Sequence, residues 1–183
     1  MHGFAAPKIP HIRLGVVGMG SRGGGVVGRV CNLPGIPVTA ICDNVDWKVK
    51  NAQKMLSKKN KPAAKEYLGD HAWKAMCDDP NVDVIYNTAP WNLHVPVQLA
   101  AMRGGKHVFT EVPSAFTVDE CWELVETSER TKKHCMQLEN CCYGEAEMFA
   151  LNLCRQGILG ELVHGEGGYI HNLAIENYMP ELL

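Results

Sequence analysis

The chain has 183 residues, of which 46% are hydrophobic and 21% charged, and its formal net charge is -2. That length suits one domain and the beginning of a second. So small a charge gives no electrostatic basis for binding nucleic acid or an acidic membrane surface, and no stretch is long and apolar enough to span a bilayer. The opening MHGFAAPKIPHIR lacks an apolar signal core. A cytoplasmic location is expected for the chain as given, and a periplasmic one if a signal peptide lies upstream. Eight cysteines (Cys31, Cys42, Cys77, Cys121, Cys135, Cys141, Cys142 and Cys154) contain no C-x-x-C pair and no zinc-site spacing, so no metal is expected. They read as small buried hydrophobes in a reducing compartment.

In chain order, β-rich runs alternate with amphipathic ones. IRLGVVG (12–18) predicts a buried strand, and the segment after Gly20 a helix with Val26, Val27 and Val30 on one side. PVTAICD (37–43) is a second strand, and VDWKVKNAQKMLSKKN a helix with a solvated basic face. DHAWKAMCDDPN predicts a short helix with Asp70 as N-cap. VDVIYNTAP is a third strand; LHVPVQLAAMRGG is a helix stopped by Gly104 and Gly105; KHVFTE is a fourth strand. TVDECWELVETSERTKK is a long helix opened by Thr117 with Glu120 three residues on, the pattern of a capping box. HCMQLE is a fifth strand and EAEMFALNLCRQG a further helix. The alternation predicts an α/β fold, a doubly wound parallel sheet. After Gly160 the character changes, and ELVHGEGGYIHN reads as a longer strand opening a second, α+β domain. The expected domains are 11–143 and 144–183, the second cut short at Leu183.

Gly18, Gly20 and Gly23 form G-x-G-x-x-G between the first strand and the first helix, and Asp43 ends the next strand about twenty residues further on. Each part has a chemical use. Gly18 permits a tight turn, Gly20 lets a pyrophosphate approach the backbone, and Gly23 allows helix and strand to pack closely. The helix start offers free N–H groups and partial positive charge to phosphates. Ser21 and Arg22 lie within reach of those phosphates. Asp43 suits ribose hydroxyls and repels a 2′-phosphate, and no arginine follows it in DNVDWK. The cofactor expected is therefore NAD rather than NADP.

With this loop, TAPWNLHVPVQLAAMRGGKHVFTEVP, LENCCY and GELVHGEGGYIHN resemble the N-terminal half of the glucose–fructose oxidoreductase and inositol dehydrogenase superfamily. Within it the chain looks most like the NAD-dependent α-N-acetylgalactosaminidase family of glycoside hydrolases. The resemblance implies that Trp91, Asn92, Leu93 and His94 lie along the cofactor, and that Glu111 and Val112 flank the nicotinamide. Where many dehydrogenases of the superfamily have E-K-P, with a lysine that polarises the substrate hydroxyl, this chain has Val112. The resemblance places Asn140 on the cofactor side and Glu139 on the substrate side. Tyr169 matches a substrate-binding tyrosine and is a candidate base, and His171 shares its face if the segment is extended. The arginines common after the tyrosine of CCY are replaced by Gly144 and Glu145, and H-D-L-R by His171, Asn172, Leu173 and Ala174.

The implied activity is hydrolysis of N-acetylgalactosaminides or related sugars by transient oxidation at C3 and elimination, with NAD regenerated. The implied partners are a small-molecule sugar and, at full length, further copies of the same chain. With the substrate domain cut short, the 183-residue chain is expected to bind nucleotide without turnover. An NAD-dependent sugar or polyol dehydrogenase and a non-catalytic nucleotide-binding module are the competing readings.

Overall fold

The computed structural model of the chain describes Phe4, Ala5, Ile9, residues 11–140, residues 142–168 and Ile170. It divides into two compact units, Met1–Leu138 and Glu139–Leu183.

The first unit alternates strand and helix: β1 (Leu14–Val17), α1 (Ser21–Val30), β2 (Val38–Asp43), α2 (Asp46–Lys58), β3 (Lys65–Leu68), α3 (Ala72–Asp78), β4 (Val84–Asn87), α4 (His94–Arg103), β5 (His107–Thr110), α5 (Val118–Thr131) and β6 (Cys135–Gln137). A 3-10 turn, Trp91–Leu93, leads into α4. The strands form one six-stranded sheet in the order β3-β2-β1-β4-β5-β6, with every pairing parallel. Successive strand residues point to opposite faces, and both faces are covered. Val16, Ile41 and Val84 pack with Val26, Val27, Val49 and Leu56 of α1 and α2. Val17, Cys42, Ile85 and Val108 pack on the other side with Trp73, Met76, Val97, Met102 and Leu124 of α3, α4 and α5. Fully burying each Val, Leu, Ile or Met contributes about 1.5–3 kcal/mol, so the sheet is a rigid platform for the loops at its carboxyl edge.

The sheet has one strand more than the sequence pattern indicates. KEYL (β3) is an edge strand with only Tyr67 buried, so it carries no apolar run to betray it. Asp70 is not the N-cap of α3; His71 is, and the Asp70 carboxylate instead accepts from Asn44 Nδ2 at 2.9 Å. The capping box of α5 forms as expected: Glu120 N–H donates to Thr117 Oγ1, and the Glu120 carboxylate accepts from the Thr117 N–H, each at 3.1 Å. Of the described cysteines, Cys31, Cys42 and Cys77 are buried, but Cys121, on α5, and Cys142, in the turn before Glu145, are exposed, so the expectation of buried cysteines holds only in part.

The second unit contains α6 (Glu145–Arg155), with Gly157 at a φ of +69° just beyond its end. Residues 161–168 are exposed and form no strand. An extended segment becomes a strand only when a neighbour takes up its N–H and C=O groups, and among the described residues none pairs with this one. Tyr169 and His171 lie outside the described residues.

Candidate dinucleotide site

In the order 3-2-1-4-5-6, the chain leaves β1 and β4 in opposite directions, which opens a crevice at the carboxyl edge between them. The glycine turn lies there. Gly18 has a φ of +88°, and a Cβ on it would sit 2.6 Å from the Thr88 carbonyl oxygen, so both conformation and space demand glycine. A Cβ on Gly23 would overlap the Gly18 carbonyl oxygen and lie 2.7 Å from Thr88 Oγ1. At Gly20 the same test meets nothing within 4 Å, so the space beside its backbone is open. The three glycines thus serve three different geometric needs.

The loop is held from both flanks. Gly18 N–H donates to the Cys42 carbonyl at 2.8 Å, and Thr88 Oγ1 lies 2.6 Å from the Gly18 carbonyl. Asp43 Oδ2 accepts from Met19 N–H at 2.6 Å and Oδ1 from Val45 N–H at 2.9 Å. Asp43 is 9% exposed, so this carboxylate is a bracket for the turn as well as an acidic group on β2. Its two oxygens have about four lone-pair sites, leaving acceptor capacity for hydroxyls. The first α1 bond runs from Gly24 N–H to the Gly20 carbonyl at 2.9 Å, and the turn before it has neither a capping side chain nor an acidic residue. By contrast, Asp119 and Glu120 occupy the first turn of α5. An uncapped helix start beside an open glycine fits an anionic phosphate. These residues fit a dinucleotide.

Past β4, Trp91 is 61% exposed, with its ring 6.2 Å from that of Phe116, and Asn92 is exposed beside it. Leu93 is half-buried. His94 does not share this outward position. It is 2% exposed, with Nδ1 2.6 Å from the Pro113 carbonyl and Nε2 2.9 Å from the Ala89 carbonyl. The expected contact between His94 and a cofactor is replaced by a clamp between the loops after β4 and β5, because both ring nitrogens already face backbone oxygens. Val112 is exposed beyond β5. Ser21 is exposed at the start of α1.

Glu111 follows β5 and is reached by two partners. Tyr86, in β4, donates its phenol to Glu111 Oε1 at 2.8 Å, and Arg22 Nε lies 3.3 Å from Glu111 Oε2. Burial, and then the Glu111 carboxylate, push the Tyr86 phenol up to about 12. Sequence reasoning missed Tyr86. A tyrosine inside an otherwise apolar strand, needing a partner for its hydroxyl, was the available signal. It missed two further supports as well. Buried Asn87 donates Nδ2–H to the His94 carbonyl at 3.2 Å, and buried Gln98 donates to the Ser114 carbonyl at 2.8 Å. Glu139 and Asn140 belong to the second unit and are exposed there.

Glycine turn, uncapped helix start, acidic β2 end and topological switch point together define a Rossmann dinucleotide-binding domain. A family profile described as "Oxidoreductase family, NAD-binding Rossmann fold" matches residues 12–138, and the chain belongs to that family, whose cofactor is NAD. The chain is 46% identical over 179 residues to Glycosyl hydrolase family 109 protein 1 of Bacteroides fragilis, covering 97% of this chain and 38% of the relative. It is 41% identical over 171 residues to an Alpha-N-acetylgalactosaminidase of Bacteroides fragilis, covering 93% of this chain and 40% of that protein. Among solved structures, scyllo-inositol dehydrogenase from Lactobacillus casei with bound NAD(H) and scyllo-inositol matches with a TM-score of 0.72 at 19% identity, over 82% of this chain and 43% of the other, a likeness of fold. The chain spans about two fifths of the length of these relatives. Among the described residues, no helix is long and apolar enough to cross a membrane, and no cluster of His, Cys, Asp and Glu is arranged to hold a metal ion.

Proposed function

We propose that this chain supplies the nucleotide half of an NAD-dependent glycoside hydrolase acting on N-acetylgalactosaminides or related sugars. The observation that carries the reading is the open glycine turn followed by E-V-P, in a chain 46% and 41% identical to the two glycosidase relatives. Gly18, Gly20 and Gly23 shape the turn. The backbone at Ser21 and Arg22 faces the pyrophosphate, and Asp43 takes the adenosine ribose. Trp91, Asn92 and Leu93, with Glu111 and Val112, form the wall beside the nicotinamide, and Asn140 is a further cofactor-binding residue. When bound, NAD supplies reversible hydride abstraction from a sugar carbinol, which acidifies the neighbouring carbon and permits loss of the anomeric substituent by elimination.

The residues of the chain position, polarise and move protons. Val112 is apolar at the place of the lysine that would favour a simple alcohol oxidation, which supports a hydrolytic outcome. Glu139 contacts the sugar. Tyr169 removes the proton next to the oxidised carbon, with His171 as its partner. An unperturbed tyrosine titrates near pH 10, so this role requires surroundings that lower its pKa. At full length the protein forms a homo-oligomer.

The test uses the polypeptide extended to the length of its relatives, incubated with NAD and nitrophenyl α-N-acetylgalactosaminide. Phenol release without net NADH supports the hydrolase. Accumulation of NADH without phenol supports a sugar or polyol dehydrogenase, the second reading, which membership of an oxidoreductase family keeps in view.

A further inference from the structure

Tyr86 carries no role in the reading above, although its contacts lead to the nucleotide site. It pairs across the sheet with Val16 of β1 and Phe109 of β5 and packs on the face covered by α1 and α2. Glu111 lies two residues beyond Phe109, on the same side, and its backbone is fixed by its N–H bond to the Asn87 carbonyl at 3.1 Å. Its side chain is 14% exposed, whereas that of Arg22 is 48% exposed. Arg22 is the second residue of α1, two residues from the open backbone at Gly20. Its Nε lies 3.3 Å from Glu111 Oε2, an ion-pair contact, and among the described residues the Arg22 guanidinium makes no side-chain hydrogen bond. A guanidinium drawn by an ion pair, with its donors unspent beside an uncapped helix start, is set up to meet a phosphate.

We propose that Tyr86 is a positioning residue for the dinucleotide: its phenol fixes the Glu111 carboxylate, and Glu111 holds Arg22 by its Nε edge so that the Nη donors face the pyrophosphate at the glycine turn. The inference rests on the NAD-binding reading of this site and not on the glycosidase chemistry. The raised phenol pKa agrees with it, since Tyr86 then stays a donor throughout the working pH range and never competes as a base. It also gives the β4 tyrosine and the E-V-P glutamate one shared purpose.

The test is a double-mutant cycle on the 183-residue chain, with NAD affinity read by calorimetry and each variant checked by thermal melting. Tyr86→Phe keeps the ring and removes only the hydroxyl. The expected result is NAD binding weakened about three- to tenfold by Tyr86→Phe. Arg22→Gln causes a larger loss, and Tyr86→Phe adds nothing further in the Arg22→Gln background. A purely structural tyrosine would cost the same in both backgrounds, and that outcome, or no loss in either, overturns the proposal. Glu111→Gln is the second variant: it keeps an acceptor for the Tyr86 phenol but removes the charge that holds Arg22, so its loss of NAD affinity must be smaller in the Arg22→Gln background than in the wild-type chain. A wild-type chain that takes up no NAD sinks the cofactor reading together with this one. Wild-type binding with uncoupled variants sinks this one alone.

Discussion

Gly23→Ala and Gly20→Val separate the two demands placed on the glycine turn. At Gly23 the added Cβ would overlap the Gly18 carbonyl oxygen and crowd Thr88 Oγ1 at 2.7 Å. The first obstacle is backbone, so α1 must shift away from β1, or the turn must open and break the Thr88–Gly18 hydrogen bond of 2.6 Å. Overpacking of this kind costs about 1–3 kcal/mol, and the lost hydrogen bond about 1 kcal/mol more. Replacing glycine by alanine in a helix returns at most about 1 kcal/mol. A net loss near 2 kcal/mol predicts a fall in Tm of roughly 4–8 °C for a chain of this size. At Gly20 no atom lies within 4 Å of an added Cβ, and the backbone has a φ of -68°, which any residue adopts. Gly20→Val should therefore melt within about 1 kcal/mol of wild type, the ordinary range for a surface change with some loss of capping. It should bind NAD at least about a hundredfold more weakly, because the valine fills the space a pyrophosphate must enter. Calorimetric NAD titrations and thermal melts on the same two variants provide the check. If Gly23→Ala melts with wild type, or Gly20→Val keeps its NAD affinity, the division of labour among these glycines is wrong.

Asp43 should make NAD bind more tightly than NADP by at least about tenfold, since a 2′-phosphate would face a carboxylate; equal affinities in calorimetry would refute this. The Asp79 carboxyl is held well below the usual carboxylate range, first by the Lys65 ammonium, then by the Tyr67 phenol and the Asn81 N–H. A pKa lower in the folded than in the unfolded chain adds stability that is complete above about pH 4 and is lost as the pH falls below it. Asp79→Asn should flatten the acid limb of the stability curve, and an unchanged slope below pH 4 in urea titrations would count against this contact. Burial pushes the Cys42 and Cys77 thiols up to about 12, whereas Cys121 and Cys142 are exposed. Iodoacetamide at neutral pH should label Cys121 and Cys142 and spare Cys42 and Cys77 in the folded chain, with peptide mass mapping as the readout.

The parts of this protein legible in its sequence are those whose signal is local. The parallel sheet could be read because β1, β2, β4 and β5 are short apolar runs buried on both faces, spaced by helices with their own start and stop residues. The nucleotide turn could be read because three glycines and an aspartate have fixed spacing along the chain. The edge strand β3 escaped, since a strand paired on one side only needs little apolar sequence. The tertiary structure decided which polar side chains face a ligand and which serve the frame. His94, close in sequence to exposed Trp91 and Asn92, turns inward because the Pro113 carbonyl, nineteen residues away, comes within 2.6 Å. Asp43 gained a second task because the turn after β1 presents the Met19 N–H to it. Tyr86, Glu111 and Arg22 meet although they come from β4, the loop after β5, and α1. Glycine conformation and apolar periodicity are properties of neighbouring residues and so are written along the chain. Hydrogen-bond partnership across a sheet depends on which distant segments the fold brings together, and that is settled only when the strands are in register.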